Sequence, residues 1–181
     1  MSNTAYLIAH ATHNENNATR DGFLGDQIGA ELQLCRWYQR GWTTIYRPVD
    51  PEVREKIADF MEKAVSNGFI GYDGYYRNGL YHAIFDEGKK VEELNESVCC
   101  DCSSLVYCAV RYATGVAFVD NIEEDAGNYT CPLVRHYPDY IENQCAGQFD
   151  KLTGAEYTDS GANLVRGDIL YAEGAHTAVW I

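Results

Sequence analysis

The sequence predicts an α+β fold, with helices gathered on one side of an antiparallel sheet. Three observations carry this expectation. Two stretches, after Asp50 and after Asp101, repeat apolar residues at helical spacing, and residues 167–181 alternate turn and strand signals. The length of 181 residues fits one domain spanning 1–181.

The first helix is expected to start at Asp50-Pro51-Glu52, where Asp50 can cap and Pro51 suits the first turn. Val53, Ile57, Phe60, Met61, Ala64 and Val65 recur on one face, and Asn67-Gly68 should stop the helix. The stretch from Gly68 to Phe85 is rich in Gly, Tyr and Asn and reads as a loop leading into a short helix from Leu80. Its tyrosines Tyr72, Tyr75, Tyr76 and Tyr81 are either core rings with wet hydroxyls or the wall of a polar cleft. A second helix should run from Asp101, its cap, to Gly115, its stop, with Leu105, Cys108, Ala109 and Tyr112 facing inward. Residues 116–163 are loop-rich and polar, with turn signals at 125–128 and 160–163, and are expected to form an irregular insertion with short helices. Gly167-Asp168 then turns into a strand at 169–172, and Glu173-Gly174 turns into a second at 176–181. His176 stands at the mouth of that last strand.

Composition narrows the function classes. Hydrophobic residues make up 46% of the chain and Gly and Pro number only 16 and 4, which excludes collagen-like and disordered classes. Lys plus Arg is 14 against 27 Asp plus Glu, a formal charge of −13, so nucleic acid and anionic membrane are poor partners. No apolar run approaches the ~20 residues of a membrane span, and the first residues lack a basic leader with a long apolar stretch. A soluble protein without an ordinary export signal is expected. The seven cysteines are an odd number, so at least one thiol should be free. Cys35 and Cys108, set among apolar neighbours, read as small buried hydrophobes. Only Cys99 and Cys102 fit a zinc knuckle where structural sites usually show two, so neither a metal nor another cofactor is expected.

A thiol in the first turn of a helix meets unsatisfied backbone N–H groups and the positive end of the macrodipole, which favour the thiolate. Cys102 has that position. An imidazole partner usually lies far off in sequence, and His176 at a strand start can supply it. The same helix start offers N–H groups to an oxyanion, so these parts serve acyl transfer.

The motifs sharpen the reading. Asp101-Cys102-Ser103-Ser104-Leu105-Val106 resembles the DCSGL-type nucleophile motif of NlpC-type cell-wall cysteine peptidases, relatives of papain. Arg166-Gly167-Asp168-Ile169-Leu170 followed by His176-Thr177-Ala178-Val179 resembles their second motif; Ala175 there, and Ser104 in the first motif, stand where Gly is usual. The chain is also similar to phage and prophage endolysin catalytic domains from Gram-positive bacteria. That likeness runs through Gly25-Asp26-Gln27-Ile28-Gly29-Ala30-Glu31-Leu32, Arg36-Trp37-Tyr38, Trp42 and Ile70-Gly71-Tyr72-Asp73. The resemblance implies a papain-like fold with a small antiparallel sheet packed on the nucleophile helix. It also implies Cys102 as nucleophile, His176 as its partner, and Asp101, Ser103 and Tyr72 as substrate-facing residues.

The wider family usually carries its third polar catalytic residue on the strand after the histidine. Leu7-Ile8-Ala9-His10-Ala11-Thr12 resembles that strand. Either the N-terminus supplies it, with His10 orienting the ring of His176 in a circularly permuted topology, or His10 is a polar strand-end residue and the chain is a piece of a longer enzyme. His13, His82 and His136 have no motif around them and are assigned no role. Asp26 and Gln27 read as holding a tight turn, and Glu123-Glu124-Asp125 as a solvated face.

The function implied is hydrolysis of an amide in the peptide part of peptidoglycan, through an acyl-enzyme on Cys102. Such an endolysin would be made without a leader and act on the bacterial wall, with any wall-binding domain lying downstream of Ile181. An acyltransferase of the same fold is one alternative. A non-catalytic wall-binding module is another, suggested by 14 Tyr and 3 Trp but opposed by the Cys102 and His176 motifs.

Overall fold

The computed structural model describes residues 7–23, 31–120 and 129–181. The turns expected at Asp26-Gln27 and at 125–128, and the acidic run 123–125, lie outside the described residues. Strands β1 (Leu7–Ala11), β2 (Leu32–Arg36) and β3 (Thr44–Pro48) precede helix α1 (Pro51–Ser66). Strand β4 (Ile70–Tyr72), helix α2 (Gly79–Tyr81) and strand β5 (Val98–Cys100) then lead into helix α3 (Cys102–Thr114). Strand β6 (Phe149–Leu152), helix α4 (Ala155–Thr158), and strands β7 (Ile169–Ala172) and β8 (His176–Trp180) complete the order.

The architecture is α+β, as expected, but the sheet is not small. Six strands run antiparallel in the order β2-β1-β8-β7-β3-β6, while β4 and β5 pair in parallel apart from them. The extra strands β2, β3 and β6 are short segments recruited by long-range pairing, and so few residues leave little periodicity to read locally. Residues 116–163 illustrate this. Their described part is irregular chain with several short helical turns, yet it also donates β6, which pairs with β3 from Ile45↔Leu152 to Pro48↔Phe149. The tyrosine-rich loop likewise contains β4, and α2 runs on into a wide turn where the Glu87 N–H donates to the His82 carbonyl at 3.0 Å.

Helix α1 forms as its sequence dictates. The Asp50 carboxylate accepts from the Glu52 N–H at 2.8 Å, and Ile57, Ala58, Phe60, Met61 and Ala64 are buried. Helix α3 buries Leu105, Cys108 and Ala109 and ends at Gly115, whose φ of +75° an L side chain would resist. Tyr112 departs from expectation: it is 56% exposed and lies over Phe60 with ring centroids 5.4 Å apart. Its ring covers the helix pair while its hydroxyl stays in water.

The sheet has a core on each face. Both helices pack on one face with Leu105, Val106, Met61 and Val179. The other face holds Ile8, Trp42, Ile45, Leu170 and Trp180, covered by Tyr157 and Leu164. Among the described residues no helix is long and apolar enough to cross a membrane.

The Gly167-Asp168 turn locks β7 in place. The fully buried Asp168 carboxylate accepts from Arg47 Nε and Nη2 at 2.8 and 2.6 Å and from the Val165 N–H at 2.9 Å. Gly167 has φ +87°, and a Cβ there would strike the Arg54 backbone. Gly174 has φ +63° with open space around it. Gly167→Ala is therefore expected to lower unfolding free energy by about 2–4 kcal/mol, and Gly174→Ala by only about 1 kcal/mol, measured by urea denaturation.

Candidate active site

Cys102 sits in the first turn of α3 because Asp101 caps that helix. The Asp101 carboxylate accepts from the Ser104 N–H at 2.7 Å, while Ser104 Oγ accepts from the Asp101 N–H at 2.9 Å. Arg77 holds the cap in turn. Its Nε and Nη2 donate to the two Asp101 oxygens at 2.7 and 3.2 Å, and Nη2 also donates to Ser103 Oγ at 2.7 Å. Nη1 donates to the Cys131 carbonyl at 2.8 Å, and Nη2 is shared with the Pro132 carbonyl at 2.7 Å. Asp101 and Ser103 thus face a buried guanidinium. Arg77 carries no sequence motif, and only the fold shows its importance.

Strand β8 brings His176 to the same end of α3, and β1 runs beside β8 with Ile8 opposite Trp180 and Ala9 opposite Val179. His10 Nδ1 lies 2.9 Å from His176 Nε2, and both rings are buried. The second ring nitrogen of His10 is 3.3 Å from Cys35 Sγ on β2. Two aromatic rings shield the pair: Trp42 is 5.9 Å from the His176 ring, and Tyr38 is 5.9 Å from the His10 ring. The Trp42 indole N–H donates to the Tyr38 carbonyl at 2.9 Å, which fixes this wall. Cys35 is therefore not the buried hydrophobe expected of it; it is half-buried with a polar contact, whereas Cys108 is fully buried. All seven cysteines are free thiols.

Cys102, His176 and Tyr72 line one cleft of about 190 Å³. Thr12, His13, Thr19, Tyr38, Arg40 and Ala175 complete its lining. The 12–23 loop is shaped by Asn14, whose side chain accepts from the Asn16 and Ala18 N–H groups and donates to the Arg20 carbonyl. The buried Glu31 carboxylate accepts from the Glu15 N–H at 2.8 Å and from the Tyr72 N–H, tying that loop to β4. His13 thus lies at the cleft although no motif marks it. His82 pairs with Asp86 on the surface, and His136 stacks on Phe118 with centroids 6.0 Å apart. Tyr75 and Tyr76 are exposed, so of the four loop tyrosines only Tyr72 reaches this cleft.

Charge runs against the expectation of a ready thiolate. Burial, reinforced by the Asp101 carboxylate, pushes the Cys102 thiol up to about 12. The N–H groups of Thr177 and Ser103 and the Arg77 charge favour the thiolate but are outweighed. Burial, followed by His10, Arg40 and His13, lowers His176 to about 3, and burial with Arg40 and His13 lowers His10 to about 4. A neutral thiol shares the cleft with a neutral imidazole.

A family model described as an endolysin-like domain matches residues 8–181. The chain belongs to that family. No curated protein and no solved structure gives a match. Membership makes this an endolysin-type domain, which implies peptidoglycan as substrate and the bacterial cell wall as the place of action.

Two outcomes are expected of the endolysin-like domain. An unfolded histidine takes its proton near 6.5, whereas folded His10 and His176 take theirs only near 4 and 3. Their contribution to stability is complete above pH 6.5 and falls as pH drops toward 4, by up to about 1.4 kcal/mol per unit for each ring. Denaturation at pH 7, 6 and 5 should show this slope, and His10→Gln should remove about half of it. Arg77→Ala, which leaves the buried Asp101 charge without its cation, should cost about 3–5 kcal/mol in the same measurement.

Proposed function

We propose that this endolysin-type domain is a cysteine peptidase of NlpC type, papain-like in fold, that hydrolyses an amide in the peptide part of peptidoglycan through an acyl-enzyme on Cys102. The observation that carries this reading is the hydrogen-bonded pair His10 and His176 at the cleft holding Cys102. Because His176 Nε2 is engaged by His10, its Nδ1 is the nitrogen left to take the thiol proton. The pairing of β1 with β8 supports a circularly permuted topology, in which an N-terminal strand supplies the third residue.

With thiol and imidazole both neutral, the proton moves from Cys102 to His176 as the sulfur attacks the substrate carbonyl. The capping box uses the N–H groups of Asp101 and Ser104 and the Ser103 N–H faces the sulfur, leaving that of Cys102 in the same turn for the developing oxyanion. His176 then gives the proton to the leaving amine. It next takes one from the water that attacks the thioester and returns it to the departing Cys102 sulfur, and the carboxylic acid released ionises in solvent. In this reading Asp101 and Ser103 act as positioning residues through Arg77, and Tyr72 lines the substrate side of the cleft. Arg40 puts positive charge on the cleft lining of an acidic chain, which suits carboxylates on wall peptides.

Cys102→Ala and His176→Ala should each cut wall lysis at least about 10³-fold while sedimentation with purified walls is retained. Full lytic activity in Cys102→Ser would overturn the nucleophile assignment. Mass spectrometry of the digested wall fragments then identifies the amide that is cleaved.

A further inference from the structure

We propose that Cys35 is a positioning residue for the histidine pair: its sulfur accepts the Nε2 proton of His10 and so decides which nitrogen of His176 is left bare. This rests on the reading of His176 as the base. The three groups form a chain, with Cys35 Sγ 3.3 Å from His10 Nε2 and His10 Nδ1 2.9 Å from His176 Nε2. A neutral imidazole carries one proton, so fixing the donor at one end of this chain fixes every link. If Cys35 accepts, His10 carries its proton on Nε2 and offers a lone pair at Nδ1. His176 then donates from Nε2, and its Nδ1 is bare for the Cys102 proton.

The opposite order blocks the site. If Cys35 donated its S–H, His10 would carry its proton on Nδ1, and His176 would have to accept at Nε2. The His176 proton would then sit on Nδ1, where a lone pair is needed. Taking up the Cys102 proton also requires the first order, because an imidazolium at His176 donates from both nitrogens and His10 can only accept. Cys35 is half-buried on β2, so its own hydrogen can turn toward the open side while a sulfur lone pair stays on His10. Burial keeps it a thiol by raising its ionisation above the usual value, and no net proton leaves the chain.

Long-range proton–nitrogen NMR of protein labelled with ¹⁵N at histidine tests this on the resting full chain. The expected spectrum shows His10 and His176 each protonated at Nε2. In Cys35→Ala the His10 tautomers should mix and kcat should fall about fivefold at unchanged KM on a soluble wall peptide, the effect of one ordinary hydrogen bond. Cys35→Ser, whose hydroxyl can accept the same proton, should restore both. A wild-type His10 protonated at Nδ1, or a Cys35→Ala protein with tautomer and kcat unchanged, would overturn the proposal. The spectrum needs no turnover, so it judges the chain of hydrogen bonds separately from lysis by Cys102→Ala, which judges the active-site reading itself.

Discussion

Backbone pairing between β1 and β8 is the constraint on which the candidate site depends. It brings together histidines 166 positions apart in the chain, and the Ile181 N–H donating to the Leu7 carbonyl at 2.9 Å extends the pairing to the strand ends. Each strand alternates between the two cores: Ile8 packs on one face and Ala9 on the other. A slip of one residue would send His10 away from His176 and invert every neighbour. The closure is also about as non-local as this chain permits. Contacts of that kind form after the entropy of a long loop has been lost, which places the domain among slow-folding topologies. The histidine pair therefore comes into being with the global fold, and no smaller piece carries it.

Burial builds this pair and also sets its charge. A helix start alone would draw the Cys102 proton off, but a dry sulfur beside the Asp101 carboxylate holds it. Arg77 limits that effect, since its guanidinium neutralises the carboxylate that the helix needs as a cap. The buried ion pair thus lets one residue serve helix α3 without leaving a bare negative charge next to a nucleophile. On the imidazole side, Arg40 and His13 act in the same direction as burial. Burial first, and His10 ahead of both, lower His176 so that its ring is neutral near pH 7. The site is arranged for a base that accepts a proton during attack and not for a standing ion pair.

Much of this was legible in the chain. Helices α1 and α3 announce themselves through Asp50 and Asp101 caps and regular apolar spacing, and the β7–β8 hairpin through its turns, because caps and turns are local chemistry. The residues that share the cleft were legible only as motifs, Cys102 and His176 by type and context and His10 by likeness to a strand. Arg77, Arg40 and His13 were not legible. Their significance lies in what the fold places beside them, and a lone Arg or His in sequence has no spacing to give it away. β6 and Tyr112 escaped for the same reason: one is a four-residue strand whose pairing partner lies on β3, the other a ring whose exposure depends on Phe60. Apolar neighbours suggest a buried Cys35, but they say nothing of the strand across the sheet, where His10 meets its sulfur.

The motif residues divide into those that would react and those that hold the reacting ones still. Asp168 and Gly167 never approach the cleft; one anchors β7 to Arg47 and the other lets the chain pass the Arg54 backbone. This division explains why two departures from the usual spelling are tolerable. Ser104, standing where Gly is usual, closes the capping box with its hydroxyl and so strengthens the turn that presents Cys102. Ala175 stands just before His176, where a glycine would be needed only if the backbone there were left-handed. The left-handed position of that turn is Gly174, and Ala175 simply donates its N–H to the Ala172 carbonyl at 3.0 Å. Ala175 lines the cleft beside His176, so the substitution leaves the turn that presents the ring intact.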